Sequence, residues 1–260
     1  MKFCRAERDG HLLVVTLDRP DVMNALHRAA SDELDSVWNS FESDPDLRVA
    51  ILTGAGEKSF CAGYDMKDAG PPTKGMEFLA TRHPRGLGAL TLRFDMTKPL
   101  IAAVNGFALG GGFELALACD IIVAADHAQF GFPEPRVGRM ALEGGMHRLA
   151  RSIPLKVAMH MLLTGTRIAA AEAHRLGLVG AVVPRADLLA AARRCADEIL
   201  AGAPLSIQAT KESVMAGLEL PLPVAVAQVG PTMAKALASD DQIEGVNAFR
   251  EKRSPKWTGR

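Results

Sequence analysis

The chain has 260 residues, of which 48% are hydrophobic and 23% are charged. These proportions are typical of a globular protein with a substantial core, and they exclude a disordered chain, a collagen and a long coiled coil. Thirty Lys and Arg side chains balance thirty Asp and Glu side chains, so the formal net charge is zero. We therefore expect no general electrostatic attraction to nucleic acid or to an anionic membrane.

Cysteine and histidine spacing gives no sign of a metal site. The four cysteines lie far apart without a CxxC pair, which argues against a zinc site and against a dense disulfide framework. The seven histidines show no HxxxH or HExxH pattern. Charged residues begin within the first five positions, so we expect no signal peptide, and the apolar stretch 100–118 is too interrupted to cross a bilayer. A cytoplasmic protein is the expectation.

Short apolar runs alternate with a helical pattern in the first half of the chain. Residues 11–17 predict a strand that ends before Pro20, and apolar positions from Leu26 to Phe41 follow helical spacing. Runs without alternation predict strands that are buried on both faces, at residues 49–53, 100–104 and 121–124. Buried strands separated by helices indicate an α/β fold with a largely parallel sheet.

The second half is predominantly helical. Helices are predicted at residues 155–163, 169–176, 186–200 and 206–216, with one short strand at residues 182–183. Ser239 followed by Gln242 predicts a capping box for a helix that reaches about Arg250. We interpret residues 1–200 as the core domain and residues 201–260 as a C-terminal helical region that packs on neighbouring subunits.

The strongest local signal for function is the glycine-rich run at residues 105–114. Three consecutive glycines, 110–112, cost conformational entropy, so the backbone is expected to adopt positive φ or to approach a ligand closely. The N–H groups at a helix N-terminus suit an anion or a developing oxyanion. A phosphate loop is the rival, but neither GK[ST] nor GxGxxG is present. A tight turn that allows close helix packing remains the structural alternative.

Two glutamates lie next to glycine-rich or proline-rich sequence. Glu114 is in the first turns of the predicted helix, and Glu134 lies between Pro133 and Pro135, which fix its direction. Each alone could be a surface charge. Together they predict a general acid/base pair.

A second loop, residues 59–66, follows the strand at 49–53. Open α/β sheets bind ligands at the carboxyl ends of their strands, so this loop is a candidate binding segment. It contains Tyr64, the single tyrosine of the chain. Cys61 is not predicted to be a nucleophile, because a small uncharged thiol in an apolar loop usually packs.

In chain order, these segments resemble the enoyl-CoA hydratase/isomerase (crotonase) superfamily, and its hydratases most closely. The likeness covers essentially the whole chain and rests on residues 17–20, 24–26, 60–65, 103–106, 110–115, 130–134, 163–165, 177–179 and 249–253. It implies a spiral of ββα units with a C-terminal helical trimerisation region, and a homotrimer or a dimer of trimers. It also implies an acyl-CoA substrate, with coenzyme A as part of that substrate and no further cofactor.

The resemblance also implies site residues. The backbone N–H groups of Tyr64 and Gly111 would form an oxyanion hole, and Glu114 and Glu134 would hold and activate water and exchange protons with the substrate. Residues implied to contact coenzyme A are Val22, Ala25, Ala62, Asp65, Met66, Gly110, Phe249 and Lys252. Lys252 would reach the nucleotide bound to a neighbouring subunit.

The sequence departs from the family pattern at Glu143, where a small residue is usual. Glu143 is interpreted either as a charge at a helix N-terminus or as a contact to a polar acyl group or to the second glutamate, and we expect it to tune substrate choice. Leu142 stands where dehalogenases and dienoyl-CoA isomerases have aspartate, which disfavours both activities. The segment 70–99 would shape the acyl pocket, and its basic residues either form a solvated face or meet an acyl carboxylate or phosphates: Lys74, Arg82, His83, Arg85, Arg93 and Lys98.

The predicted function is reversible hydration of a 2-enoyl-CoA to a 3-hydroxyacyl-CoA. The alternatives are Δ3,Δ2-enoyl-CoA isomerisation with Glu134 as the proton shuttle, and an enzyme like the crotonobetainyl-CoA hydratases, with a polar acyl chain. An alternative of another class is a non-catalytic RNA-binding role. Neutral net charge and the two glutamates argue against that role.

Overall fold

In the computed structural model, which describes residues 1–67 and 82–260, the strands form two separate β-sheets. The strands are β1 (Cys4–Asp9), β2 (Leu12–Leu17), β3 (Val49–Gly54), β4 (Ser59–Cys61), β5 (Leu100–Val104), β6 (Phe107–Leu109), β7 (Ile121–Ala125), β8 (Gln129–Gly131), β9 (Arg167–Ala169) and β10 (Ala181–Val183). The larger sheet has the order β1-β2-β3-β5-β7-β10, and the smaller sheet has the order β4-β6-β8-β9.

The strand pairs β3–β4, β5–β6 and β7–β8 repeat one pattern. In each pair the first strand joins the larger sheet and the second joins the smaller sheet. Neighbouring strands contributed by these pairs run parallel within both sheets. Each sheet therefore grows by one parallel strand per repeat, and the chain spirals between the two sheets.

Helices cover the sheets and make up most of the C-terminal part. They are α1 (Arg28–Ser43), α2 (Gly111–Ala118), α3 (Gly145–Ser152), α4 (Leu155–Thr164), α5 (Ala170–Arg175), α6 (Leu188–Leu200), α7 (Pro204–Gly217), α8 (Leu222–Ala227), α9 (Pro231–Leu237) and α10 (Asp240–Glu251). Short 3-10 turns occur at Pro20–Val22, Leu87–Ala89, Glu134–Val137 and Arg185–Asp187. In the described part of the chain no helix has the length and apolar character needed to span a membrane.

Helix α1 shows how the apolar spacing produces packing. Leu34, Val37, Trp38 and Phe41 share one face, and all four are buried. The Trp38 indole N–H donates to the Gly88 carbonyl at 3.0 Å, so this face is also fixed to the turn at Leu87–Ala89. The helix thereby holds that turn beside the N-terminus of α2, where the candidate site residues lie.

The structure confirms the α/β architecture and the long elements predicted from sequence, with boundary shifts of one or two residues. It differs at the start of α10: Ser239 is the N-cap residue, but its hydroxyl donates to the Ala236 carbonyl at 2.7 Å and makes no cap hydrogen bond. The expected capping box is therefore wrong in its bonding. The four small-sheet strands were missed because three residues are too few to show a period.

The predicted acyl-pocket segment is only partly described, since Lys74 lies outside the described residues. Two of its basic residues are not on a solvated face. Lys98 is buried and its ammonium donates to the carbonyls of Phe41 and Asp44 at 2.6 Å each, and the buried Arg93 pairs with Asp35 at 3.2 Å. Both side chains anchor α1, so neither interpretation of them from sequence is supported.

Candidate active site

The glycine run connects β6 to α2 and brings three chain segments into contact. Gly110 has φ +55°, a left-handed conformation that favours glycine. A side chain on Gly112 would overlap the Cys61 carbonyl, so the first turn of α2 lies directly on β4. The positive φ expected from the sequence is present at Gly110, whereas the close approach at Gly112 is the helix packing given as the structural alternative, and the approach to a ligand stays a prediction.

The oxyanion-hole residues implied by the resemblance lie side by side. A Cβ placed on Gly63, where φ is +94°, would be 2.9 Å from the Gly111 nitrogen, so the peptide preceding Tyr64 faces the start of α2. Gly111 is the first residue of α2, and its N–H has no acceptor within the helix. The two backbone segments can therefore direct N–H groups into one small region.

The segments expected to hold coenzyme A are hydrogen-bonded to each other. Leu26 N–H donates to the Gly63 carbonyl at 2.8 Å, and Ala62 N–H donates to the Met23 carbonyl at 3.0 Å. These bonds bring Val22 and Ala25 next to Ala62, immediately before Tyr64. The implied thioester and coenzyme A contacts are thus adjacent, although their roles stay predictions.

Asn24 and Arg19 fix this pair of loops. Asn24 is fully buried with φ +55°, and its amide donates to the carbonyls of Ala55 and Ser59 at 2.9 and 2.8 Å. The Arg19 guanidinium pairs with the Asp65 carboxylate at 2.9 Å. Because Asp65 is buried in this ion pair, its side chain holds the loops together, and its contact with coenzyme A remains a prediction.

Glu114 is buried, with 2% of its surface exposed. Its Oε1 accepts hydrogen bonds from the N–H groups of Glu143 and Gly145, each at 2.8 Å. Burial raises the pKa of Glu114 to about 8; the Gly145 N–H opposes the shift, and the charges on Glu134 and Glu143 add to it. One carboxylate oxygen is thus anchored, and the carboxyl retains a proton at higher pH than usual.

Glu134 begins the 3-10 turn at Glu134–Val137 and reaches back to the glycine run. A Cβ on Gly110 would be 2.8 Å from Glu134 Oε1, so the carboxylate lies against the Gly110 backbone. Its Oε2 is buried, and no donor in residues 1–67 or 82–260 reaches it. Burial also raises the pKa of Glu134. The two predicted glutamates are therefore brought to one site, as the sequence indicated.

Glu143 is buried, with 1% of its surface exposed, and it does not cap α3, whose N-cap residue is Gly144. Its Oε1 accepts from the Tyr64 hydroxyl at 2.7 Å, and its Oε2 accepts from the Thr91 hydroxyl at 2.7 Å and from Leu87 N–H at 3.1 Å. The interpretation as a helix N-terminal charge is therefore wrong. The sequence offered a contact to the second glutamate, Glu134, whereas the contact in the structure is to Glu114 and is made by the Glu143 backbone. Thr91 and Leu87 were missed, because nothing local in the sequence links them to residue 143.

The remaining predicted residues lie at the surface or in the core of the chain. Met66 and Phe249 are exposed, and Lys252 follows α10 in a left-handed conformation. Their contact with coenzyme A stays a prediction. Cys61 is fully buried, and burial raises the pKa of its thiol to about 12, as expected for a packing residue.

Metal-binding groups are not clustered in the part of the chain that the structure describes, where no set of three or more His, Cys, Asp and Glu side chains is arranged to hold an ion. The groups assembled around the glycine run are carboxyls, backbone N–H donors and one phenol. Such groups perform proton transfer and stabilise developing negative charge.

Comparison with known families supports this chemistry. The family model described as enoyl-CoA hydratase/isomerase matches residues 7–260. The chain is 44% identical over 253 residues to (E)-benzylidenesuccinyl-CoA hydratase of Thauera aromatica, covering 97% of this chain and 98% of that protein. It is 45% identical over 257 residues to carnitinyl-CoA dehydratase of Escherichia coli K12, covering 97% of each.

Solved structures agree with the fold. An enoyl-CoA hydratase from Mycobacterium tuberculosis H37Rv superposes with a TM-score of 0.92 at 39% identity, covering all of both chains. An enoyl-CoA hydratase from Bacillus anthracis gives a TM-score of 0.91 at 32% identity with the same coverage. The crotonase-like spiral implied by the sequence resemblance is confirmed by these matches.

Proposed function

Because the chain belongs to the enoyl-CoA hydratase/isomerase family, we propose that it catalyses the reversible addition of water to a 2-enoyl-CoA thioester, giving a 3-hydroxyacyl-CoA. The observation that carries the proposal is a pair of glutamates at the glycine run, the buried Glu114 and the half-buried Glu134, whose carboxylate lies against Gly110. Two carboxyls can divide the work of a hydratase, since one handles water and the other handles the α-carbon proton.

The backbone N–H groups of Tyr64 and Gly111 would receive the thioester oxygen. They stabilise the enolate-like charge that develops when the β-carbon is attacked, an effect of about 3–4 kcal/mol for one donor in acyl-transfer enzymes. Any side chain can occupy position 64 in this role, because the donor belongs to the backbone. A tyrosine there is compatible with the proposed chemistry.

Glu114 would orient and deprotonate the water, using the oxygen that the Glu143 and Gly145 N–H groups leave available. The hydroxide equivalent bonds to the β-carbon, and Glu134 gives its proton to the α-carbon, so the proton lost by water replaces the one donated. The raised pKa values of both carboxyls keep a proton within the pair near neutral pH, and hydration proceeds from the form with this proton on Glu134 and with Glu114 ionised. This is acid–base chemistry, for which we propose no cofactor beyond the coenzyme A of the substrate.

The names of two relatives are the basis for the acyl group that we propose. One is named for a benzylidenesuccinyl thioester and the other for a carnitinyl thioester. Both names describe acyl groups with more than a plain hydrocarbon chain, so we propose a substrate that carries a functional group beyond the alkene. Δ3,Δ2-isomerisation through Glu134 is the second candidate, because that carboxyl is placed beside the oxyanion-hole residues.

We also propose that the protein assembles as a homotrimer or a dimer of trimers in the cytoplasm. Large apolar side chains are exposed on the C-terminal helices, in a pattern suited to burial against other subunits: Val214, Met215, Leu218, Leu222, Val226, Leu237, Ile243 and Phe249. Light scattering tests the assembly. A monomer with full activity would contradict both the trimer and the proposed role of Lys252.

A panel of enoyl-CoA thioesters tests the function, with loss of the conjugated thioester absorbance as the readout. The panel compares short and long hydrocarbon chains with acyl groups that carry a carboxylate or a quaternary ammonium. We expect hydration of at least one member and a product with a 3-hydroxyl group. Double-bond migration without hydration would instead identify the isomerase.

A further inference from the structure

The Glu143 carboxylate connects two parts of the site that lie far apart in sequence. On one side it accepts the Tyr64 hydroxyl, 79 positions away in the chain, at 2.7 Å. On the other side the Glu143 backbone N–H is one of the two donors that hold Glu114 Oε1. A single residue therefore touches both the proposed oxyanion-hole residue and the proposed water-activating carboxylate.

We propose that Glu143 is a positioning residue that fastens the oxyanion-hole residue Tyr64 to the loop that orients Glu114. The inference rests on the proposed function and deepens it. Tyr64 contributes a backbone donor, and its ring, held by Glu143, limits how that peptide can move. The loop at residues 143–145 contributes both donors to Glu114, and the Glu143 side chain limits how that loop can move.

The hydrogen bonds of the carboxylate argue against a direct contact with the acyl group. Glu143 accepts from Tyr64, Thr91 and Leu87, which fill three of about four acceptor positions of a carboxylate. Arg82 faces the carboxylate from a further side, with its guanidinium nitrogen 3.9 Å from Oε1. The earlier expectation that Glu143 selects the acyl group by contact is replaced by an effect through its neighbours.

The packing around the carboxylate leaves little freedom. A Cβ on Gly86 would overlap Glu143 Oε2, so the adjacent turn can approach only because residue 86 is glycine, with φ +74°. Arg148 donates to the Glu143 carbonyl at 3.2 Å, which fixes the backbone at the same position. Side chain and main chain of Glu143 are therefore both held, as a positioning role requires.

Tyr64 offers a direct probe of this contact, because it is the only tyrosine in the chain. Its phenol is largely enclosed, and the charged groups that act on it in the described residues are Glu143, Glu114 and Arg82. Burial, followed by the charge and hydrogen bond of Glu143, raises the pKa of Tyr64 well above its ordinary value. Ring-labelled ¹³C-tyrosine therefore gives one NMR signal, and its chemical shift at neutral pH reports the Tyr64–Glu143 hydrogen bond.

The experiment compares wild type with Glu143→Gln and with Glu33→Gln as a matched control. Glu33 also accepts hydrogen bonds from the N–H groups of Lys2, Phe3 and Cys4, but at the edge strand β1. We expect the Tyr64 ring signal to shift in Glu143→Gln and to stay at its wild-type position in Glu33→Gln. Hydration kcat should fall about tenfold to a hundredfold in Glu143→Gln with KM within about threefold, since misplaced groups slow the chemical step.

Tyr64→Phe provides the second variant, because it removes only the phenol oxygen and leaves the backbone donor. Its kcat should fall in the same range, and the double variant with Glu143→Gln should be no slower than the slower single variant. An unchanged Tyr64 chemical shift in Glu143→Gln would overturn the contact. A changed chemical shift with unchanged kcat in both single variants would overturn the positioning role.

Failure of the proposed function is distinguishable from failure of this inference. If wild type hydrates no thioester in the panel, the hydratase assignment is wrong, while the Tyr64 signal still decides whether Glu143 fastens the ring. In that case a Tyr64 chemical shift that is the same in wild type and Glu143→Gln would overturn the inference as well.

Discussion

The Glu134 carboxylate lies against Gly110, such that a Cβ on Gly110 would be 2.8 Å from Glu134 Oε1. This contact explains why Gly110, the first of the three consecutive glycines, has no side chain. Its missing side chain leaves the space in which the proposed proton donor sits. The left-handed backbone at φ +55° and the carboxylate contact both require glycine at this position.

Gly110→Ala should therefore impair both stability and activity. Alanine at positive φ costs about 1–2 kcal/mol, and its methyl group would displace the Glu134 carboxylate. We expect hydration to fall at least about tenfold, because a displaced proton donor is out of reach of the α-carbon. Thermal unfolding and kcat measured together separate the two effects.

Gly10→Ala is the control for this variant. Gly10 has φ +58°, and nothing lies within 4 Å of an added Cβ. The control should lose a similar free energy of unfolding and keep wild-type kcat. Equal activity of Gly110→Ala and Gly10→Ala would show that the contact with Glu134 does not matter.

Substitution of the two glutamates should separate their roles. Glu134→Gln is expected to abolish hydration and any isomerase activity, because this carboxyl donates the α-carbon proton. Glu114→Gln is expected to reduce hydration by about a hundredfold or more while leaving residual isomerisation. Rates with conjugated and β,γ-unsaturated thioesters measure both reactions. Small and equal losses in the two variants would refute the assignment of roles.

The high pKa of Glu114 predicts a pH-dependent stability. In the folded protein the pKa of Glu114 is about 8, whereas a glutamate in the unfolded chain has its ordinary pKa of 4.5. Between these values the folded state binds more protons, so the contribution of Glu114 to the free energy of unfolding is full below pH 4.5 and falls as pH rises to 8. Glu114→Gln removes this loss, and its stability relative to wild type should increase from about pH 5 to about pH 8 in urea titrations.

Glu33→Gln serves as the opposite case. Burial opposes ionisation of Glu33, but N–H groups of Lys2, Phe3 and Cys4 lower its pKa to about 2. Its contribution is lost only as pH falls toward 2, so the difference between Glu33→Gln and wild type should be constant from about pH 5 to about pH 8. A parallel trend in both variants would show that Glu114 is not the source.

Asn24→Ala should weaken binding of coenzyme A through the loops that Asn24 fixes. The substitution leaves the Ala55 carbonyl without its amide donor, at a cost of about 1–3 kcal/mol. KM for an enoyl-CoA should rise more than kcat falls. A fall in kcat as large as the rise in KM would contradict a role of these loops in holding coenzyme A.

The long elements predicted from the sequence each carry a local pattern, either a helical period or an uninterrupted apolar run. Helix α1 buries the residues that its spacing marks, and β3, β5 and β7 match the apolar runs predicted from the sequence. The smaller sheet could not be predicted in this way. Strands of three residues, such as β4 and β6, are defined by their partners and not by a local pattern.

In the candidate site, too, some residues could be predicted from local sequence patterns and others could not. Glycines 110–112 and the Pro-Glu-Pro sequence around Glu134 are local signals, and both mark residues at the site. The partners of Glu143 are not local, because Tyr64, Leu87 and Thr91 meet it only after the chain has folded. The sequence indicated an unusual carboxylate, but its hydrogen bonds had to come from the structure.

Glu134 Oε2 is buried, and no donor in the described residues reaches it. The side chain that serves the proposed proton transfer therefore also lowers the stability of the folded protein. A buried acceptor without a donor destabilises the folded state in the absence of substrate. Selection for stability alone would replace Glu134 by an apolar residue, whereas selection for proton transfer would keep it. Relatives that no longer catalyse the reaction are therefore expected to lose this glutamate early in their divergence. They should unfold at higher temperature once they have lost it.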